Sequence, residues 1–312
     1  MDDHDSRQSL PVTNRHDILF FFDVTNGNPN GDPDAGNMPR LDPNTNHGIV
    51  TDVCLKRKIR NYVQHFPPTN SSRFDIFVKQ GEALNSHIEQ SITETGGASL
   101  NKKDENYGKS AVEWLCYKFY DIRAFGAVLS TGELRGSAWG QVRGPLQFTF
   151  AQSLHPITPL EISITRCAVT DVADLQKQRT MGNKHIVPYA LYVGKVYISP
   201  AFAERSGFNQ EDLAVFFEAL NNMFAHDHSA TRGDMVVRGI YDFEHVGTQH
   251  ANNTEQNMRE ARLGCAHAHK LFEGVSVKLK DGVAFPKSFD DYQVTNTWES
   301  NELPKGVVLN KM

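Results

Sequence analysis

The chain has 312 residues, 39% of them hydrophobic and 22% charged, an ordinary globular composition that excludes wholesale disorder and leaves enough chain to bury a large core. Its net charge of −5 excludes a surface coated in positive potential, so any nucleic-acid site must be a local patch. No run of eighteen apolar residues occurs and Met1 to Gln8 is polar rather than signal-like, so a cytoplasmic protein without membrane contact is expected.

After a polar arm, Asp17 to Val24 is a continuous apolar run of strand length rich in phenylalanine, the pattern of a buried central strand. Thr25 to Gly48 is dense in Gly, Pro, Asn and Asp and reads as a long loop. Thr51 is placed to cap a helix whose apolar residues Leu55, Ile59, Tyr62 and Val63 share one stripe, ending before Pro67-Pro68. The polar stretch Asn70 to Asn106 reads as an insertion, and a helix is predicted over Ser110 to Tyr120. Ala124 to Ser130 and Pro145 to Ala151 read as strands flanking the segment Thr131 to Gly144, and Leu160 to Thr170 as another. A second polar excursion, Asp171 to His185, precedes a strand over Tyr189 to Ile198, a helix over Gln210 to Phe224 and a strand over Met235 to Phe243. In the tail, Asp281-Gly282 between short apolar runs predicts a hairpin.

With the excursions removed, the order is β-α-β-β-α-β, so the fold class is α+β with a ferredoxin-like core of the kind RNA-recognition domains also use. One elaborated domain is expected, with its core over residues 17–65 and 124–243, an insertion over 66–123, a loop over 171–187 and an extension over 244–312. The four cysteines, Cys54, Cys116, Cys167 and Cys265, show no C-x-x-C spacing, which predicts reduced structural thiols.

The sharpest local feature is Lys56-Arg57-Lys58-Ile59-Arg60. On a helix, Lys56, Arg57 and Arg60 form an arc beside the apolar stripe that could hold a phosphate chain; a solvated helix face is the plain alternative. Basic and polar residues recur in two loops, Arg135, Gln141 and Arg143 in one and Lys177, Arg179, Lys184 and His185 in the other. Phosphate contacts carry no base information, which suits a protein that holds RNA of any sequence, although loops are also polar simply because they are wet. The aromatic signatures of an RNA-recognition motif are absent, so base stacking on an open sheet is not expected.

Asn26, Asn28, Asn30 and Gly31 imitate the start of an EF-hand loop, but the final ligand position is Asn37. Gly108-Lys109-Ser110 imitates a phosphate-binding loop without its first glycine. His226 and His228, and His267 and His269, read as surface histidines. Asp23, Asp32, Asp34, Asp42 and Asp52 could hold Mg²⁺ for RNA cleavage, and turn chemistry accounts for them equally. No cofactor, metal or catalytic residue is therefore expected.

The run from Asp23-Val24-Thr25-Asn26-Gly27-Asn28-Pro29-Asn30-Gly31-Asp32 to Asn37, continuing through Pro39-Arg40 to Thr51-Asp52-Val53-Cys54-Leu55-Lys56-Arg57-Lys58-Ile59-Arg60, resembles the backbone subunit of subtype I-C CRISPR Cascade complexes, the Csd-two family. Phe125-Gly126-Ala127-Val128, Gly140 to Phe148, and Met181-Gly182-Asn183-Lys184-His185 before Val187-Pro188-Tyr189 extend the likeness over most of Asp17 to Phe243. This resemblance implies a hand-shaped subunit: a modified RNA-recognition palm, fingers formed by the insertion, and a thumb from 171–187. It implies a non-catalytic subunit that stacks head to tail along a CRISPR RNA (crRNA), grips its backbone and leaves its bases free for target DNA. The implied partners are crRNA, target DNA, further copies of the chain and other Cascade subunits. The implied RNA-binding residues are Asn28, Asn30, Arg40 and Met181, together with Lys56, Arg57, Arg60, Arg135, Gln141, Arg143, Arg179, Lys184 and His185. Two alternatives stay open, a metal-dependent RNA-cleaving subunit of the type III kind and a stand-alone single-stranded RNA-binding regulator.

Overall fold

The computed structural model describes residues 10–69, 72–96, 105–165, 167–174, 181–248 and 254–312. β1 (His16–Gly27) enters a loop that holds β2 (Gly31–Asp32) and β3 (Met38–Pro39), and the chain returns as β4 (His47–Val50) before α1 (Asp52–His65). The insertion carries α2 (Leu84–Glu94), α3 (Glu105–Lys118) and α4 (Tyr120–Phe125). β5 (Gly126–Val128), β6 (Gln141–Arg143), β7 (Leu146–Phe148), β8 (Ala151–Pro156) and β9 (Leu160–Thr165) lead to β10 (Met181–Ile198). There follow α5 (Pro200–Ser206), α6 (Gln210–Asn222), β11 (Asp234–His245), α7 (Thr254–Leu263), α8 (Ala268–Glu273), β12 (Val275–Leu279), β13 (Tyr292–Asn296) and β14 (Val307–Lys311). Among the described residues no helix is long and apolar enough to cross a membrane.

The main sheet runs β14-β11-β1-β10-β8-β4, every neighbour antiparallel. The chain is therefore a mixed α+β fold on an antiparallel sheet, with β1 inside it between β10 and β11. Because side chains alternate along a strand, Ile18, Phe20, Phe22 and Val24 face one side and pack with Leu55 and Ile59 of α1 and Phe216 and Leu220 of α6. Leu19 and Phe21 face the other side, where Leu271 and Phe272 of α8, Val275 of β12 and Tyr292 of β13 cover them. A strand covered on both faces must be apolar throughout, which explains its uninterrupted hydrophobic run.

At the start of β1, polar groups are buried in matched pairs. His245 accepts the Cys265 backbone N–H at Nδ1 (2.9 Å), so its Nε2 carries the proton that it donates to Asp17 at 2.9 Å. His16 Nδ1 lies 3.0 Å from Asp242. Burial alone would lower the His16 pKa, but the hydrogen bond and charge of Asp242, helped by Glu244 and Asp17, outweigh it and leave the imidazole above its ordinary value.

The insertion has its own core, in which Ile88 and Ile92 of α2 meet Ala111 and Leu115 of α3 and Phe77. It is tied to α6 by a buried ion pair: Arg123 donates from Nε and Nη2 to the two oxygens of Asp212 at 3.1 and 2.6 Å, and from Nη1 to the carbonyls of Cys116 and Tyr117.

Several sequence expectations need correction. Ala124 and Phe125 end a helix rather than start a strand; all six side chains of α4 are buried, and Gly126, at φ 82°, stops the helix. The polar segment before His185 is strand from Met181 onward, because Gly182, Lys184 and Ile186 pair with Ile164, Ile162 and Leu160 of β9. β9 ends at Thr165, not Thr170. The tail hairpin pairs Val275–Leu279 with Tyr292–Asn296, so Gly282 turns inside a longer connection and Phe285 is exposed. β14 was not expected; it completes the β11 edge.

Replacing Arg123 by Met leaves the Asp212 charge buried with Arg73, 3.4 Å away at its edge, as its remaining cation. A loss of about 3–5 kcal/mol is expected in urea unfolding. Because folding raises the His16 pKa, its contribution is complete below about pH 6.5 and is lost as pH rises through the folded value. Stability of the wild type relative to His16→Gln should therefore fall as pH rises above about 6.5, a difference read from paired unfolding curves.

Candidate nucleic-acid interface

The loop after β1 is built by its own asparagines. Asn26 and Asn37 adopt left-handed φ values of 50° and 63°, which Asn tolerates. Asn26 lies opposite Pro188, which has no N–H to donate, and the β1–β10 pairing passes directly from Thr25–Tyr189 to Gly27–Val187. The Asn30 side-chain oxygen accepts both the backbone N–H and the hydroxyl of Thr51 at 3.0 Å, while the Thr51 oxygen caps α1 by accepting the Cys54 N–H. Asn28 donates from its backbone to the Thr231 carbonyl and from Nδ2 to the Asn37 carbonyl, both at 2.7 Å. This brings the turn at 229–233 against the loop so closely that a Cβ on Gly27 would lie 1.8 Å from the Arg232 carbonyl oxygen.

Between loop, helix and turn lies a cleft of about 550 Å³ lined by Asn28, Asn30, Arg40, Arg57, Lys58 and Arg232 among others; of the described residues, four cations and no carboxylate line it. One wall is the start of α1, with Thr51, Val53 and Cys54, where the helix dipole adds positive potential. Neither Asp227, which is paired with both Lys58 and Arg232, nor Asp32, which holds Arg40 at 3.3 Å, is part of the lining. Arg57 donates to the Val78 carbonyl at 2.7 Å, and burial lowers its pKa from the usual arginine value. Burial pushes the Cys54 thiol up, so it stays neutral. Such a cleft suits an anionic, hydrogen-bonding ligand that stays in contact with solvent.

The cleft gathers Asn28, Asn30, Arg40 and Arg57, but the basic arc of α1 divides. Lys56 pairs with Asp52 at 3.0 Å and Arg60 with the buried Asp121 at 2.7 Å, and both lie over the Phe125 ring, at 5.8 and 5.0 Å. Asp121 also accepts the backbone N–H groups of Phe77 and Val78, so Arg60 supports the junction between α1 and the insertion. Gln141 and Arg143 line a second cleft, of about 710 Å³, with Trp139 and Tyr117. Arg135 is exposed after the 3-10 turn Gly132–Leu134. Lys184 and His185 lie on the β9–β10 hairpin, and Met181 pairs at its far end with Thr165. Arg179 and Lys177 lie outside the described residues.

The five loop aspartates are dispersed. Asp23 is buried between Arg238 (2.7 Å) and Tyr189 (3.1 Å); burial raises its pKa more than these partners lower it. Arg238 reaches it because β11 bulges there: Phe21 pairs with Gly239 and Phe22 with Val237. Asp32 and Asp42 accept backbone N–H groups of their own turns, and Asp52 pairs with Lys56. Among the described residues no three His, Cys, Asp or Glu side chains are grouped for a metal. Sequence reasoning misses two of the four cations of the cleft, Lys58 and Arg232. Lys58 sits near the apolar stripe and outside the basic arc, and Arg232 lies far along the chain, with the neighbouring Gly233 as the one local signal of a turn.

Residues 14–297 match the family of CRISPR-associated protein Cas7. The chain belongs to the Cas7 family. A CRISPR-associated protein Cas7 of Haloferax volcanii is 31% identical over 219 residues, which cover 65% of this chain and 62% of that protein; the match thus spans less than two thirds of that relative. Two solved structures also align with this Cas7-family chain. A chain of a CRISPR RNA-guided surveillance complex in a pre-nicking state has 13% identity and a TM-score of 0.47, covering 77% of this chain and 80% of that one. A chain of another CRISPR RNA-guided surveillance complex has 14% identity and a TM-score of 0.43, with coverages of 80% and 76%.

Gly27→Ala is expected to force the 229–233 turn off the loop and to cost about 1–3 kcal/mol. Gly182→Ala, whose Cβ would meet Ile164 at an ordinary 3.5 Å, should be close to neutral. Thermal unfolding of the two variants beside the wild type measures the difference.

Proposed function

We propose that this Cas7-family chain is the non-catalytic guide-binding backbone subunit of a subtype I-C CRISPR surveillance complex, stacking head to tail along crRNA. The observation that carries this reading is the cleft at the start of α1: a chain of net charge −5 lines it with cations and amides and, among the described residues, with no carboxylate. Cations and amides hold a phosphate backbone without reading bases, as a subunit that must accept any guide requires. The covered sheet face supports the same division of labour. Its aromatic residues Phe21, Tyr189, Tyr241 and Phe243 are buried beneath the C-terminal segment, so they offer no platform for stacking bases.

In this reading the antiparallel sheet with α1 and α6 is the palm, the α2–α4 lobe the fingers, and the β9–β10 hairpin the thumb. The bases are left to pair with target DNA, and sequence discrimination comes from that pairing. A head-to-tail contact does not close on itself, so guide length and end subunits limit the assembly. The complex works inside the cell, and the chain itself performs no cleavage.

The test is to express the chain with a repeat-derived guide, purify it by size and count protein copies per RNA. Several copies on one guide are expected; a monomer free of RNA, with the guide intact, would refute the reading. In the same material, Arg40→Ala with Arg57→Ala should weaken RNA binding about equally for unrelated sequences. It should also reduce the slope of log affinity against log salt by roughly 0.7 for each phosphate that the double variant no longer neutralises.

A further inference from the structure

Two residues that line the cleft each carry a buried polar atom that has no hydrogen-bond partner among the described protein atoms. One is Oδ1 of Asn28, an acceptor; the other is Nε of Arg40, a donor. The orientation of the Asn28 amide is fixed, because its other end faces the Asn37 carbonyl, which can only accept. Asn28 is only 6% exposed, and both residues line the same cleft.

Buried polar groups are ordinarily satisfied, so the ligand chemistry can be read from what is left over. A phosphodiester has no hydrogen to donate; it could satisfy Arg40 but not Asn28. A base N–H could satisfy Asn28, but it would make binding depend on sequence. A ribose 2′-hydroxyl donates and accepts, and it is identical in every ribonucleotide. We infer that Asn28, with Arg40, receives a 2′-hydroxyl of the bound strand and so makes this cleft selective for RNA over DNA. This inference rests on the guide-binding reading and adds the sugar as the discriminated group.

The test compares guides of one sequence, made as RNA or with 2′-fluorine throughout, against the wild-type chain at fixed salt. Fluorine keeps the ribose-like sugar pucker but cannot donate a hydrogen. Leaving a buried acceptor unmet should weaken binding about tenfold or more. Asn28→Leu should bind the two guides with equal affinity. Equal binding of both guides by the wild type, or full discrimination retained in Asn28→Leu, would overturn the inference. Because the first comparison leaves the protein unaltered, it stands even if the variant does not fold. Failure of the wild type to bind either guide would instead refute the guide-binding reading, and this inference with it.

Discussion

Burial of β1 on both faces is the constraint on which the rest of the molecule depends. Ile18, Phe20, Phe22 and Val24 need the helices on one side, and Leu19 and Phe21 need the C-terminal segment on the other. The first demand brings α1 under the sheet and sets its N-terminus at the loop that leaves β1. The second closes the sheet face that a smaller domain of this topology would leave open for stacked bases. What stays open is the end of the sheet, where chain turns, a helix terminus and cations meet.

The electrostatics follow the same layering. An acidic chain gathers cations at one cleft while the carboxylates paired with them stay out of its lining. Asp227 holds Lys58 and Arg232, and Asp52 and Asp121 draw Lys56 and Arg60 toward Phe125. Net charge and local potential are independent here because pairing is directional: a carboxylate beneath a guanidinium orients it and leaves its outer edge available. The Arg123–Asp212 pair does comparable work in a dry setting, where it fixes the position of the insertion against α6.

The parts legible in the sequence were those governed by local rules. The apolar run of β1, the Thr51 cap, the stripe of α1 and the turn chemistry of the first loop all depend on neighbours within a few residues, and the structure has each of them. What was not legible depends on distant partners. Tyr120 to Phe125 alternates poorly and contains an acid and a base, yet it is helix because Asp121 and Arg123 find Arg60 and Asp212 elsewhere in the chain. The start of β10 is polar because β9, its partner there, is exposed along its whole length. On the candidate site, Arg57 and the loop asparagines were visible as types in a pattern, whereas Arg232 reaches the cleft from a turn far downstream in the chain.

One consequence of β10 concerns continuity. The strand is 18 residues long, about 60 Å at 3.3 Å per residue, and it passes from the β9 hairpin into the main sheet without a break. The handover lies between Ile186, still paired with Leu160, and Val187, paired with Gly27 immediately before Asn28. The pairing of the hairpin therefore passes directly into the pairing that anchors the cleft. Hairpin and cleft thus share one continuous strand, as the arm and jaw of a caliper are cut from a single piece.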